Sequence, residues 1–441
     1  MTRLAVPTGE HFTLTNASVP ESVMGKADSG AVVKVDISVE NGKITAITPG
    51  GSAPPAGERV DMDGGIVLPA FVDLHTHLDK GHIWPRRPSP DGTWWGALMA
   101  VQDDRVSNWA ANDVERRMDF ALRCAWAHGT AAIRTHLDSA PPQHEISFDV
   151  FEAMRERWAG RIELQAVSIV GPDVMLDPGQ LREVARRVKA GGGILGGSTA
   201  VHAENPKIMH NMIEVAGEYG LDIDLHADES PDPAATALQT LAEAVLETGY
   251  DGNVVAGHCC ALAVQDEAHA QAVIDKVVAA NIAVVSLPMC NMYLQDRRNE
   301  NGLLRTPRWR GVTLLNELKA AGGRVAIASD NTRDPFYAYG DLDGFEVLRE
   351  GARILHFDHP QDQAFCWTRA VGADAAAIGG FAWRATIEAG APADLVLFRA
   401  RSWTELMSRP QADRTVLRRG QAIDTTLPDY RELDDLMGAP A

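Results

Sequence analysis

Eight short runs of apolar residues recur through the middle of the chain, and helical periodicity follows each of them. The runs are GIVLPAFVDLHTH, TAAIRTH, IELQAVSIV, GGILGGST, LDIDLHAD, NVVAGHC, IAVVSLP and GRVAIASD. Apolar residues that succeed one another without alternation are typical of strands buried on both faces, as in parallel sheets. Eight strand–helix units in succession predict an α/β fold, a (β/α)8 TIM barrel over residues 69–384.

The two ends of the chain show a different pattern, in which apolar and polar residues alternate. The segment AVVKVDISVENGKITAITPGG has this period of two around Glu40-Asn41-Gly42, and ADLVLFRA and TVLRRGQAI repeat it near the C-terminus. Alternation around such a turn predicts half-buried strands joined by a hairpin. Because chain termini often lie close together, we predict that residues 1–68 and 385–441 form one small β-sandwich.

A doubly wound open sheet is the main alternative to the barrel. That fold carries a G-x-G-x-x-G turn after its first strand. No such turn follows the first apolar run, and the glycine run Gly191-Gly192-Gly193 lacks the Lys-Ser/Thr of a phosphate-binding loop. The barrel is therefore favoured.

The charge of the chain limits the kinds of binding partner to expect, and its cysteine content indicates the cellular compartment. The 41 Lys and Arg against 60 Asp and Glu give a net charge of -19, which repels nucleic acid and anionic membranes. Five cysteines without a pairing pattern indicate a reducing environment. The first residues lack the pattern of a secretory signal, and no run reaches the roughly 20 apolar residues of a membrane span. We expect a cytoplasmic protein with a small-molecule partner.

Polar residues interrupt the apolar runs at their C-terminal ends, where the active site of a (β/α)8 barrel lies. The residues are His75 and His77 in the first run, His226 in the fifth, His258 in the sixth and Asp330 in the eighth. His75 and His77 face the same way, since residues two apart in a strand share a face. Imidazoles with a carboxylate suit one divalent metal ion, Zn2+ or Fe2+.

Such a metal site has a defined use in hydrolysis. A bound ion lowers the pKa of water from 15.7 toward about 7, which provides hydroxide at neutral pH. Glu229 follows His226 by three residues and can reach the same mouth, where a carboxyl group manages protons. His136 in RTHLDS is open to two interpretations, a residue that supports the ligands or a structural one.

Four segments of the chain resemble the amidohydrolase superfamily, namely His75-Thr76-His77, His226–Glu229, Gly257-His258 and Ser329-Asp330-Asn331. Within the superfamily, three segments resemble the cytosine deaminase group. They are HLDK at His77–Lys80, HADE at His226–Glu229 and SDNTRDPFYAYG at Ser329–Gly340. The resemblance implies that His75, His77, His226 and Asp330 bind one metal ion. It also implies that Asp330 takes a proton from the attacking water, His258 orients that water, and Glu229 protonates the ring nitrogen beside the attacked carbon.

The chain also departs from this group. Cytosine deaminases of the enteric type carry a Gln after strand three, where this chain reads Ile169-Val170-Gly171. The HLDK segment and Asp330-Asn331 also resemble N-alkylammelide amidohydrolases, which lack the equivalent of Glu229. The resemblance therefore implies a hydrolytic deaminase of an aminopyrimidine such as cytosine, and the alternative is an amidohydrolase of an N-substituted aminotriazine or another cyclic amide.

The segments after the strands also supply candidates for binding the ring. We predict that Gly171, Asn331 and Phe336 contact the substrate. Trp94, Trp95 and Tyr337 either cover a flat ring by stacking or anchor the loops of the barrel rim.

Two other functional classes compete with a barrel hydrolase. His202-Ala203-Glu204 matches the H-x-E element of the zinc nucleoside deaminases, but no P-C-x-x-C follows it. A barrel that has become a binding protein would lack ligands or Glu229, and all of them are present. Cys290 is a weak candidate for a nucleophile, because no nearby sequence pattern indicates a catalytic partner for it. The resemblance further implies a possible homo-oligomer.

Overall fold

A computed structural model describes residues 7–52, 56–299 and 301–438 of the chain. The outermost residues of the two predicted terminal segments, 1–6 and 439–441, lie outside these ranges. No helix within the ranges is long and apolar enough to cross a membrane.

The N-terminal part forms a four-stranded sheet. Its strands are β1 (His11–Pro20), β2 (Val32–Glu40), β3 (Lys43–Pro49) and β4 (Glu58–Asp61), in the order β3-β2-β1-β4. Glu40 pairs with Lys43 across a two-residue turn, and Asn41 and Gly42 have φ angles of 51° and 77°. Two positive φ angles match the turn to the twist of the strands. The predicted hairpin is confirmed.

Eight further strands are formed by the eight apolar runs. After β5 (Val67–Pro69) come β6 (Phe71–Thr76), β7 (Thr130–Asp138), β8 (Glu163–Ile169), β9 (Leu195–Thr199), β10 (Ile223–Ala227), β11 (Val254–His258), β12 (Ala283–Ser286) and β13 (Arg324–Ile327). Strands β6–β8 form one sheet and β9–β13 another, each in chain order. Parallel bridges of Val167 with Ile194 and of Thr76 with Asp330 join the two sheets at both edges. The ring is therefore closed, which confirms the predicted (β/α)8 barrel.

Helices alternate with these strands. They are α1 (Trp94–Asn108), α2 (Ala111–His128), α3 (Gln143–Arg157), α4 (Pro172–Leu176), α5 (Pro178–Ala190), α6 (Asn205–Tyr219), α7 (Ala237–Thr248), α8 (Glu267–Ala279), α9 (Pro288–Leu294), α10 (Leu315–Ala320), α11 (Gly344–Leu355), α12 (Ala373–Gly379), α13 (Trp403–Ser408) and α14 (Asp434–Met437). The side chain of Asp177 caps α5 by accepting hydrogen bonds from Gly179 and Gln180. Helix α1 is an addition to the repeating unit, because it precedes α2 in the connection from β6 to β7.

The C-terminal strands complete a second small sheet. They are β14 (Leu395–Leu397), β15 (Thr415–Arg418) and β16 (Gln421–Ala422), and β14 pairs with the N-terminal β5, with Leu395 opposite Pro69. Side chains from both ends of the chain, among them Phe12, Ile37 and Leu417, share one buried cluster. The two ends therefore fold together, as their alternating pattern predicts.

The chain divides into two compact units. One comprises Met1–Asp73, Arg123–Ala132 and Asp343–Leu427, and the other comprises Leu74–Leu122, Ile133–Leu342 and Pro428–Ala441. Every residue discussed at the candidate site belongs to the second unit. The predicted domain boundaries after residues 68 and 384 stay a prediction.

Candidate active site

Four buried side chains meet at the carboxyl ends of β6, β10 and β13. Nε2 of His226 lies 3.1 Å from Nε2 of His75 and 3.1 Å from Nε2 of His77. Nε2 of His77 lies 3.2 Å from Oδ1 of Asp330. One potential ligand atom from each of the four residues lies within 4.8 Å of the others. We call these four residues the metal floor.

The metal floor fits a divalent cation on its own chemistry. Burial lowers the pKa of His77 to about 4 and the pKa values of His75 and His226 well below the ordinary value, so their imidazoles are neutral. Neither carboxylate oxygen of Asp330 accepts a hydrogen bond of good geometry from the part of the chain that the structure describes. A buried carboxylate facing three neutral imidazoles is costly unless a cation joins them. Three nitrogens and one oxygen suit Zn2+ or Fe2+.

The backbone holds two of the predicted residues in an unusual conformation. His258 and Asp330 have φ angles of 69° and 65°, in the left-handed region that residues other than Gly rarely adopt. The amide of Asp330 donates to the carbonyl of His75 at 2.9 Å, and the hydroxyl of Thr76 donates to the carbonyl of Asp330 at 2.8 Å. Each such conformation costs about 1–3 kcal/mol and persists where surrounding bonds enforce it. These bonds hold Asp330 next to the strand that carries His75 and His77.

Glu229 lies beside the metal floor and is held from two sides. Its Oε2 accepts a hydrogen bond from Nε1 of Trp94 at 2.6 Å, and its Oε1 lies 3.4 Å from Nδ1 of His258. The same Nδ1 lies 2.8 Å from Nδ2 of Asn291, which follows β12. The three predicted catalytic residues, Glu229, His258 and Asp330, are therefore brought together.

The two carboxyl groups have pKa values displaced in opposite directions. Burial raises the pKa of Glu229, whose side chain is 7% exposed, and the charge of Asp330 adds to the rise against the opposing effects of His258 and Trp94. Burial would also raise the pKa of Asp330, but His258 and His77 outweigh it and hold that pKa below its ordinary value. Such a divergence is typical of an acid and a base that serve one reaction.

A cavity of about 320 Å3 opens above the metal floor. Polar side chains line part of it, among them Gln102, Arg105 and Asp138. Eight further residues of its side are Trp94, Leu98 and Val101 of α1, Ile169 at the end of β8 with Val170 and Gly171 after it, Lys80 after β6 and Phe336 after β13. We call these eight residues the ring wall. They are largely apolar, as is usual in pockets for small organic ligands. The metal-floor residues His77, His226 and Asp330 line the same cavity.

The three residues predicted to contact the substrate all line this cavity, and two of them already have partners. The amide of Asn331 donates to Asp334 at 2.9 Å, and its oxygen accepts from the thiol of Cys290 at 3.2 Å. The Phe336 ring has the ammonium of Lys80 4.4 Å from its centroid. One face of Phe336 is therefore covered by a cation, so its contact with a substrate would be through the rest of the ring. Substrate contact by all three residues stays a prediction.

The other aromatic candidates differ in position. Trp95 is 65% exposed and lines an outer cavity of about 740 Å3 that shares Trp94 and Glu229 with the inner one. Tyr337 is buried and packs edge-on against Tyr293. Both lie outside the ring wall.

His136 lies against the metal floor. Its ring centroid is 3.9 Å from that of His75, and its Nε2 is 3.8 Å from Oδ1 of Asp224, whose other oxygen accepts from Arg134 at 2.8 Å. Burial lowers the pKa of His136 well below the ordinary value. The contact with His75 favours the supporting role over the purely structural one.

Two weaker candidates are placed away from catalysis. His202 lines only the outer cavity and Glu204 is exposed, so the H-x-E match does not join the metal floor. Burial raises the pKa of the Cys290 thiol well above its ordinary value, which opposes a role as nucleophile.

The structure brings three residues to the candidate site in positions that the sequence analysis did not assign. Asn291 contacts His258, Trp94 binds Glu229 rather than only covering a ring, and Lys80 lines the cavity. Asn291 follows β12, the seventh strand of the barrel. It could therefore have been predicted from the sequence as a polar residue after a strand end. Lys80 is the last residue of the HLDK segment, so the sequence analysis named it without assigning it a role. The bond from Trp94 depends on how α1 lies over the cavity, and the sequence carries no comparable signal for that.

Comparisons with known proteins extend these observations. The amidohydrolase family matches residues 96–424 of the chain. The chain is 53% identical over 439 residues to the pterin deaminase of Rhizobium rhizogenes (strain K84 / ATCC BAA-868), covering 99% of each. It is 23% identical over 358 residues to the N-isopropylammelide isopropyl amidohydrolase of Pseudomonas sp. (strain ADP), covering 78% of this chain and 82% of that one. The crystal structure of 5-methylcytosine deaminase from Klebsiella pneumoniae with 5-fluorocytosine matches with a TM-score of 0.80 and 25% identity, covering 95% and 98%.

Proposed function

The chain belongs to the amidohydrolase family, and from that premise we propose that it is a metal-dependent hydrolytic deaminase of pterin, 2-amino-4-oxopteridine. The observation that carries the reaction type is the pairing of Glu229 and Asp330, two carboxyl groups with oppositely displaced pKa values beside one metal floor. The coarser prediction, hydrolysis of a C–N bond in an amino-heterocycle, agrees with the comparisons.

The choice of pterin over cytosine rests on two further observations. The relative that is 53% identical over nearly the whole chain is a pterin deaminase. The position at which the enteric cytosine deaminases carry a Gln is in this chain Ile169-Val170-Gly171, an apolar part of the ring wall. A pterin, like an aminopyrimidine, carries its amino group on a ring carbon next to a ring nitrogen, but it has a second fused ring, which an apolar wall accommodates better than a polar one.

The chain's own groups can perform the proton transfers of this reaction. His75, His77, His226 and Asp330 would hold the ion, which when bound supplies Lewis acidity and lowers the pKa of water. The depressed pKa of Asp330 keeps its carboxylate ionised, so it can accept the proton of the attacking water. The raised pKa of Glu229 gives it a larger protonated fraction near neutral pH, so it can donate to the ring nitrogen beside the amino-bearing carbon.

His258 and Trp94 position these groups. Asn291 holds the imidazole of His258 between Glu229 and the metal floor, where it can orient the attacking water. The indole of Trp94 fixes the carboxyl group of Glu229 at the edge of the cavity. A carbon–oxygen bond forms at the amino-bearing carbon, the carbon–nitrogen bond breaks, and ammonia leaves with the protons that these groups transfer.

The test is a substrate comparison with purified protein loaded with Zn2+ or Fe2+. Ammonia release would be measured from pterin and cytosine, and isopropylamine release from N-isopropylammelide, with Glu229→Gln as the active-site control. We expect pterin to have the highest kcat/KM and the variant to lose that activity. Faster turnover of cytosine would return the substrate to the aminopyrimidines, and isopropylamine release would assign the triazine alternative. Which metal binds, a cytoplasmic location and assembly into an oligomer stay predictions.

A further inference from the structure

Lys80 is a buried cation in the substrate cavity that the catalytic scheme does not use. It lies four residues after the end of β6, the residue is 6% exposed, and it lines the cavity above the metal floor. Its ammonium is 4.4 Å from the centroid of the Phe336 ring. Within the residues that the structure describes, the ammonium forms no ion pair and no hydrogen bond.

The second cationic side chain along the cavity provides a comparison. Arg105 of α1 is paired with Asp138, with 3.4 Å between Nη1 and Oδ2. Lys80 lies near several carboxylates, including Glu229 and Asp334, but reaches none of them. The ammonium faces the cavity without an acceptor from a described residue, and a ligand that fills the cavity removes its water, a cost that the cation–π contact offsets only in part. The position of Lys80 therefore calls for an acceptor from the ligand.

The chemistry of the ammonium defines this acceptor. It has three N–H donors and no acceptor site, so a ring C–H or a ring amino group cannot satisfy it. A ring carbonyl oxygen can accept through either of two lone pairs, whereas a ring imine nitrogen offers one lone pair in the ring plane. The oxygen also gains electron density when water adds to the amino-bearing ring carbon with which it is conjugated. A cation beside it is therefore more favourable in the transition state than in the bound substrate.

We propose that Lys80 donates a hydrogen bond to the ring oxo oxygen of the substrate and thereby selects oxo-substituted amino-heterocycles. The inference rests on the proposed function and deepens it, because it names the substituent that the site reads. An amino-heterocycle without the oxo group would offer the ammonium only ring nitrogens in place of the carbonyl oxygen, and the loss of that bond generates discrimination. Phe336 acts as a positioning residue that holds the ammonium over the cavity.

The experiment compares two rings that differ at one position, pterin and 2-aminopteridine, which lacks the oxo group. Their kcat/KM values would be measured for the metal-loaded wild type and for Lys80→Met, and metal content and Tm would be recorded for both proteins. The ratio of kcat/KM for the two rings should fall about 30-fold in the variant, the effect of one charged hydrogen bond. The intrinsic reactivity of each ring cancels when the ratios of the two proteins are compared.

Lys207→Met is the matched control, because Lys207 is exposed on α6 and undergoes the same chemical change. It should leave the ratio unchanged. If Lys80 only balances the charge of the carboxylates, Lys80→Met will lower kcat/KM for both rings equally, and that outcome overturns the inference.

A binding measurement separates failure of this inference from failure of the proposed function. Calorimetry would measure the affinity of the metal-free wild type and variant for both rings. If the wild type releases no ammonia from pterin, the proposed function fails. The inference still stands if Lys80→Met removes a binding preference for the oxo ring, and it falls if no such preference exists.

Discussion

The metal floor and the ring wall face the same cavity but are built in different ways. The metal floor consists of buried polar groups at or just after the carboxyl ends of strands, where hydrogen bonds such as that from the Asp330 amide to His75 fix the backbone. The ring wall is drawn from α1 and from the segments after the strands, and its side chains are largely apolar. Strand ends are held by the sheet, whereas loops tolerate change. From this comparison we expect the metal floor to determine the reaction type and the ring wall to determine the substrate.

The largest effect is expected from the metal floor. Asp330→Asn removes the only carboxylate among the four residues and also the proposed proton acceptor. We expect kcat/KM to fall on the order of 10^4-fold and metal content, measured by elemental analysis after dialysis, to fall with it. An asparagine variant that keeps both its metal and more than a tenth of its activity would contradict the role of Asp330 as ligand and base.

Glu229 connects the two regions, because it touches His258 on one side and Trp94 of the wall on the other. Glu229→Gln keeps the shape of the side chain but removes the exchangeable carboxyl proton. We expect kcat to fall about 10^3-fold while metal content stays at the wild-type level. Loss of metal in this variant would move Glu229 into the metal floor and remove the distinction between ligand and proton carrier.

A smaller loss of activity is expected from Asn291, which contacts His258 beside the metal floor. Asn291→Ala removes the amide that lies 2.8 Å from Nδ1 of His258, so the imidazole can turn toward Glu229. We expect kcat to fall about 10-fold, the cost of one buried hydrogen bond, with KM little changed. Asn211→Ala, which removes a side-chain bond to the carbonyl of Met175, is the matched control. A rise in KM without a change in kcat would place Asn291 with the wall instead.

The two regions also differ in what the sequence predicts. The metal floor was predicted residue by residue, because His75, His77, His226 and Asp330 follow apolar runs and strand periodicity fixes their direction. The barrel and the pairing of the terminal strands were predictable for the same reason, since both are repeated patterns.

The ring wall could not be predicted to the same degree. The sequence does not show which face of α1 lies toward the cavity, so it does not predict the hydrogen bond from Trp94 to Glu229. The sequence predicts that Phe336 contacts the substrate, but only the structure shows the ammonium of Lys80 over its face. Wall contacts depend on how separate segments pack, and packing is a tertiary property that a single sequence pattern does not encode.

The smallest effect, and the finest test of the comparison, concerns the indole of Trp94. Its N–H donates to the carboxyl group of Glu229 and lowers the pKa of that group, against the rise caused by burial.

Trp94→Phe removes the donor, so the pKa of Glu229 should rise further. Because the proposed reaction uses protonated Glu229, we expect kcat/KM to decline as pH increases through that pKa. The descending limb of the pH profile should therefore move to higher pH by about one unit. Trp95→Phe is the matched control, since Trp95 is 65% exposed and does not contact Glu229; its profile should stay in place. A limb that moves to lower pH in Trp94→Phe would show that the wall acts on Glu229 by excluding water and not through the hydrogen bond.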